Sequence, residues 1–123
     1  MPTINLLTVA LRQGTVESAS ESIPTGIYSM EVAAVVPSSE KNDPENYLIL
    51  RAYVSSDNWV TREFVGGTSW QGGKVCHDKQ DQPVECPEPV FYLNEIGTRY
   101  VGKLIRLAIE SPKAMRFGAR VTY

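Results

Sequence analysis

Apolar and polar residues trade places every second position through much of this chain, in short runs broken by Gly, Pro, Asn and Asp. In GIYSMEVAAVV (residues 26–36), Tyr28, Met30, Val32, Ala34 and Val36 fall on one face and Ser29 and Glu31 on the other, which predicts a half-buried strand. YLILRAYV (47–54) sets Leu48, Leu50, Ala52 and Val54 against Tyr47, Ile49, Arg51 and Tyr53, a pattern for a central strand covered on both faces. INLLTVAL near the start, WVTREFV from Trp59, VFYL from Val90 and FGARVTY at the end read as further strands.

TRYVGKLIRLAIE (98–110) admits two readings. Thr98 is placed to cap a helix in which Val101, Leu104, Ile105 and Ala108 share a face. A strand is preferred, because Gly102 weakens a helix interior and Val101, Ile105, Leu107 and Ile109 suit one sheet face, with Lys103 the misfit. Between the strands lie PSSEKNDPEN, SSDN, the long stretch 66–89 and SPKAM, all rich in turn formers. About eight short strands predict an all-β, antiparallel fold, a two-sheet sandwich or jelly roll, over one domain spanning 1–123.

With 123 residues, 42% of them hydrophobic and 21% charged, the chain has the make-up of one folded core and too little length for separate cofactor and substrate domains. Its net charge of −2, with scattered basic residues, provides no stripe to neutralise a row of phosphates, so nucleic acid is not an expected partner. No run approaches the roughly 18 apolar residues of a membrane span, and the start MPTINLLTVALRQG lacks the basic and apolar regions of a signal peptide. A soluble protein made in a cytoplasm, without membrane contact, is the expectation.

The candidate chemistry collects in GGTSWQGGKVCHDKQDQPVEC (66–86). Zinc needs about four ligands, and Cys76, His77 and Cys86 supply three; adjacent Cys76 and His77 would point to opposite sides of an extended segment. No metal and no cofactor is therefore assigned. A disulfide between Cys76 and Cys86 would close the polar loop HDKQDQPVE, the alternative being two free buried thiols. His77 has no nucleophile elbow to serve, and Asp57, Asp78, Asp81, Glu85 and Glu88 lie in turns, so no catalytic residue is assigned. The pairs Gly66-Gly67 and Gly72-Gly73 flank TSWQ without the Lys-Ser/Thr of a phosphate loop; they frame Trp70 at a bend or bulge, where it plugs the core. Trp59 is expected to cover the sandwich in the same way.

YVSSDNWVTREFVGGTSWQGGK, followed by a turn-rich excursion and then by RYVGKLIRLAIES and FGARVTY, resembles the small β-sandwich proteins that decorate or connect parts of tailed-phage particles. The resemblance covers residues 53–123, and the two cysteines depart from its style. It implies a non-enzymatic virion protein, made in the host cytoplasm, that links repeated capsid or tail subunits through strand edges, loops and termini. Its implied partners are other virion proteins, with the chain a homo-oligomer or present in many copies. The alternative is a carbohydrate- or ligand-binding sandwich in which Trp59, Trp70 and Tyr92 offer flat apolar faces and Asn58, Gln71 or Asp57 hydrogen-bond the ligand.

The terminal stretches PTINLLTVALRQ and RFGARVTY are the expected contacts with a neighbour's sheet edge. In the first, Ile4, Leu6, Thr8 and Ala10 oppose Leu7, Val9 and Leu11, so neither face is polar. That favours a strand tied into its own sheet over one shared between subunits.

Overall fold

The computed structural model describes residues 3–25, 29–37, 41–94 and 99–123, and of residues 9–12 and 94 the backbone alone. Among the described residues nine strands follow one another: β1 (Thr3–Glu17), β2 (Glu21–Ser22), β3 (Ser29–Val35), β4 (Tyr47–Ser55), β5 (Glu63–Gln71), β6 (Val75–His77), β7 (Pro83–Glu85), β8 (Val90–Asn94) and β9 (Leu104–Thr122). Every pairing is antiparallel. The fold is all-β and sandwich-like, as the alternation implies.

The long strand β9 organises the molecule. Its first half pairs with β4, and β4 with β5; its second half pairs with β3, and β3 with β8. β1 runs along the other side of β9 from Thr3↔Thr122 to Glu17↔Ala108, and β2 continues that side at Ile105 and Leu104. Between Arg12↔Met115 and Gly14↔Ser111 the register slips, which bulges β9 around Pro112 and bends both strands at once. Two layers result, sharing β1 and β9 at the corner. The first holds β5, β4 and β2; the second holds β8 and β3.

Period-two patterning fills the space between the layers. Ile105, Leu107 and Ile109 from one half of β9 and Met115, Phe117, Ala119 and Val121 from the other join Leu48, Leu50, Ala52 and Val54 of β4 and Met30, Val32 and Ala34 of β3 in one core. Each fully buried aliphatic side chain contributes about 1.5–3 kcal/mol of transfer free energy. The free edges of β5 and β8 meet across that core. Gly66 stands opposite Ala52 on the inner side of β5, and a Cβ there would lie 2.1 Å from the Phe91 ring, which occupies the place of the missing side chain. Between β1 and β2, Ser18 keeps the ladder intact: its N–H donates to the Leu107 carbonyl at 2.8 Å, and its Oγ accepts from the Leu107 N–H at 2.9 Å.

Several boundaries differ from the sequence reading, each for a physical reason. The strand expected from Trp59 starts at Glu63, because Asn58 and Trp59 take left-handed φ values of 56° and 69° in a turn. β5 then runs straight through Gly66 and Gly67 to Gln71, with a bulge opposite Ala52 and Tyr53, so the expected loop at 66–89 begins with strand. SPKAM is no connection between strands but the bulge inside β9. Of the segment 98–110 read as strand, Arg99 and Tyr100 are helical, residues 101–103 form a turn and bend with Gly102 at φ 82°, and the strand begins only at Leu104; the preferred reading is corrected over 99–103. FGARVTY, expected to contact a neighbour's sheet edge, is flanked by β1 and β3 within its own sheet. Tyr28 and Thr98 lie outside the described residues.

Candidate functional site

The outer face of the first layer carries a ladder of arginines, carboxylates and rings. Arg51, Tyr53 and Arg106 point outward because their neighbours Leu50, Ala52, Ile105 and Leu107 point into the core. Arg62 stacks over Tyr53, its guanidinium carbon 4.1 Å from the ring centre, and donates to Glu17 at 2.9 Å. Arg106 stacks over Trp59 at 4.4 Å and reaches the same Glu17 at 3.7 Å, while Arg51 pairs with Glu110 at 3.8 Å. Phe64 meets Tyr53 edge to face at 5.7 Å. Trp59 Nε1 and Arg106 Nε within this set are buried without a hydrogen-bond partner among the described residues; exposed pairs of this kind add little stability each but restrain the side chains as a set.

The SSDNWVT loop is held by one carboxylate. Asp57 Oδ1 accepts from the Ser55 hydroxyl at 2.8 Å and the Thr61 N–H at 3.0 Å, Oδ2 accepts from the Thr61 hydroxyl at 2.5 Å, and the Trp59 N–H donates to Ser55 Oγ at 2.9 Å. The Thr61 hydroxyl, then the Thr61 amide and the Ser55 hydroxyl, hold the Asp57 carboxyl below its ordinary value. Nearby, the Tyr100 phenol donates to Glu63, and that hydrogen bond together with burial raises its pKa. A phenol that grips its proton serves as a clamp between the turn at 99–103 and β5, not as a base.

The stretch that concentrated the candidate chemistry forms a small hairpin. β6 and β7 pair Val75↔Glu85, Cys76↔Val84 and His77↔Pro83, and Cys76 and Cys86 are joined, with Cα atoms 5.1 Å apart. The tip is a turn in which Asp78 Oδ1 accepts from the Gln80 and Gln82 N–H groups, both at 2.9 Å. Lys41 ties the hairpin to the body through Glu88 at 3.2 Å and Glu85 at 3.7 Å, and Glu88 foremost raises the lysine's pKa. A cleft of about 200 Å³ lies between hairpin and body, lined by Trp70, Gln71, Lys41 and Cys86 among others. His77 is exposed, and among the described residues no three of His, Cys, Asp and Glu gather into a metal-holding group.

The four residues singled out for ligand binding are placed apart. Trp70 is 6% exposed and plugs the core beside Leu48. Gln71, next to it, is exposed and donates to the Pro44 carbonyl at 3.4 Å. Trp59 lies seven β4 residues away by register, about 23 Å along the strand, half-buried on the outer face. Tyr92 is 61% exposed on the outer face of the second layer, opposite Glu31. Only Trp70 and Gln71 share a site. The Arg–aromatic ladder and the Tyr100–Glu63 clamp escaped sequence reasoning, because Arg62–Glu17, Arg106–Trp59 and Tyr100–Glu63 are 45, 47 and 37 positions apart, and the nearer Arg62–Tyr53 pair matches no local motif.

Compared with known proteins, the chain matches no family model, no curated protein and no solved structure. Among the described residues no helix is long and apolar enough to cross a membrane.

Proposed function

We propose that this chain is a non-enzymatic structural protein of a virus particle, a rigid two-layer block that decorates or links repeated subunits. The observation that carries this reading is β1, a fifteen-residue strand that among the described residues forms its ladder with β9 alone; the Leu6 carbonyl also accepts from the Ala19 N–H, and from Leu7 onward no further described strand joins it. Long open edges are templates for pairing with another chain, and folds that work alone blunt or cover them. Register slips after Asn5, Leu7 and Arg12 divide the edge into short regular runs, which suits one matching partner better than indiscriminate pairing. Many weak contacts of this kind on a repeating lattice sum to tight attachment.

The structure separates Trp59, Trp70 and Tyr92, so nothing in their placement favours the ligand-binding alternative. Mass spectrometry of particles purified from the protein's source is the test. The chain is expected in assembled particles at a fixed copy ratio. A strict monomer absent from every particle fraction overturns the proposal.

A further inference from the structure

The two outer faces differ in how their charges are used. On the first layer Arg51, Arg62 and Arg106 all have carboxylate partners. On the second layer Arg116 and Arg120 are exposed in β9 and form no ion pair among the described residues. Between them stands Gly118, alternating with the core residues Phe117 and Ala119 and itself buried.

A hollow of about 240 Å³ lies here, lined by Asn5, Leu7, Thr8, Val35, Gly118, Ala119 and Arg120. That is room for several waters at about 30 Å³ each, over a largely apolar floor, where displacing them with an aliphatic group is favourable. Val35 pairs with Gly118, Ala33 with both Arg120 and Val90, and Glu31 with Tyr92, so an apolar strip with the exposed Tyr92 extends from the hollow across β3 to β8. Glu31 is the one acid on that strip, one row beyond Arg120.

We propose that this face docks an acidic protein segment, which inserts one aliphatic side chain into the hollow over Gly118 while its carboxylates pair with Arg116 and Arg120. Charge complementarity selects the occupant: on a chain of net charge −2, two arginines with no ion pair among the described residues, beside an apolar hollow, favour carboxylates around an apolar anchor. Two cations are too few to hold a nucleic-acid backbone by counterion release. The inference rests on the reading of the chain as a subunit that works by contact, and it adds the face and the chemistry of the contact.

The test uses the full chain and an array of short synthetic peptides: leucine between two acidic pairs, serine between the same pairs, leucine between two lysine pairs, and acidic residues alone. The leucine-centred acidic peptide is expected to bind about tenfold more tightly than the other three. Arg116→Glu with Arg120→Glu is expected to remove that advantage with circular dichroism and urea midpoint unchanged, and Gly118→Val to remove it in whatever fraction folds, whereas Lys79→Glu in the hairpin leaves it intact. Should Gly118→Val not fold, the double charge variant, altered only at exposed side chains, decides alone. Equal binding of all four peptides, equal binding of the acidic peptide without leucine, or full binding by the double charge variant overturns the proposal. So does self-association that the double variant abolishes, which would make a second copy the occupant. A chain present in particles that ignores the leucine-centred acidic peptide sinks this inference and leaves the proposed function standing.

Discussion

Gly67 has no room for a side chain: a Cβ there would sit 2.3 Å from the Leu50 carbonyl oxygen, a backbone atom fixed in the ladder between β4 and β5. Gly102 has open space around its Cβ position but a φ of 82°, which taxes any other residue. Gly67→Ala is therefore expected to cost about 3 kcal/mol by forcing β5 away from β4, and Gly102→Ala only about 1–2 kcal/mol of left-handed strain; urea midpoints of the two variants check the order. Asp57 answers to pH in the same local way. Its carboxyl lies below the ordinary 3.8, so the stabilisation it brings is complete above that value and fades as pH falls through the lowered one. Melting temperature should drop between about pH 4 and pH 2, and Asp57→Asn should flatten that drop; an unchanged acid slope would show that the Ser55–Asp57–Thr61 cluster does not hold the loop. A glycine's freedom and an acid's turn propensity are legible in a sequence. The Leu50 carbonyl that makes Gly67 obligatory is not, for it arrives from another strand.

At the scale of elements, the alternating runs in β3 and β4 were readable because one buried face imposes period two directly on the residues. SPKAM was not readable as strand, since Ser, Pro and Lys together mark turns. Inside β9 the bulge has no need of the N–H that Pro112 lacks, and Lys113 is held from outside by Asp43 at 3.3 Å and Glu45 at 2.8 Å, seventy and sixty-eight positions away. The hairpin of β6 and β7 behaves differently again. Its side chains are exposed or half-exposed, and two strands alone are marginal in water, so its order depends on the Cys76–Cys86 bond and the Lys41 tie. Closing so short a loop is worth about 2–3 kcal/mol on the chain-entropy model. Reduction by a dithiol is expected to speed amide exchange across residues 75–86 at least about tenfold, with β4 and β9 unchanged. Exchange that stays slow in the hairpin, or that rises in the core strands as well, would show that the bond does not act locally.

Apart from the β6–β7 hairpin, the described strands form one seven-stranded sheet folded at a corner, and that geometry decides what the N-terminal strand can do. Residues 3–7 are paired to the last turn-free stretch of β9, and Leu6, 3% exposed, belongs to the core between the layers, with Ile4 and Leu7 packed against it. The mixed faces of TINLLTVAL pointed to burial on both sides; Leu6 meets one of these demands in the core, and Leu7 on the other lines the hollow. Deleting residues 1–7 removes Leu6 from the core, strips part of β9 of its partner and opens the β9 edge to solvent. Loss of a buried leucine alone costs about 2–5 kcal/mol, a large share of the 5–15 kcal/mol by which ordinary domains are stable. The truncated chain is expected to be largely unfolded at 37 °C, seen as a collapsed thermal transition and loss of the β-type circular dichroism signal. A truncated chain that stays folded and monomeric but no longer enters particles would instead make this strand a bond between subunits, with its pairing to β9 secondary. One that folds and assembles normally would show that neither the core nor the contact needs these residues.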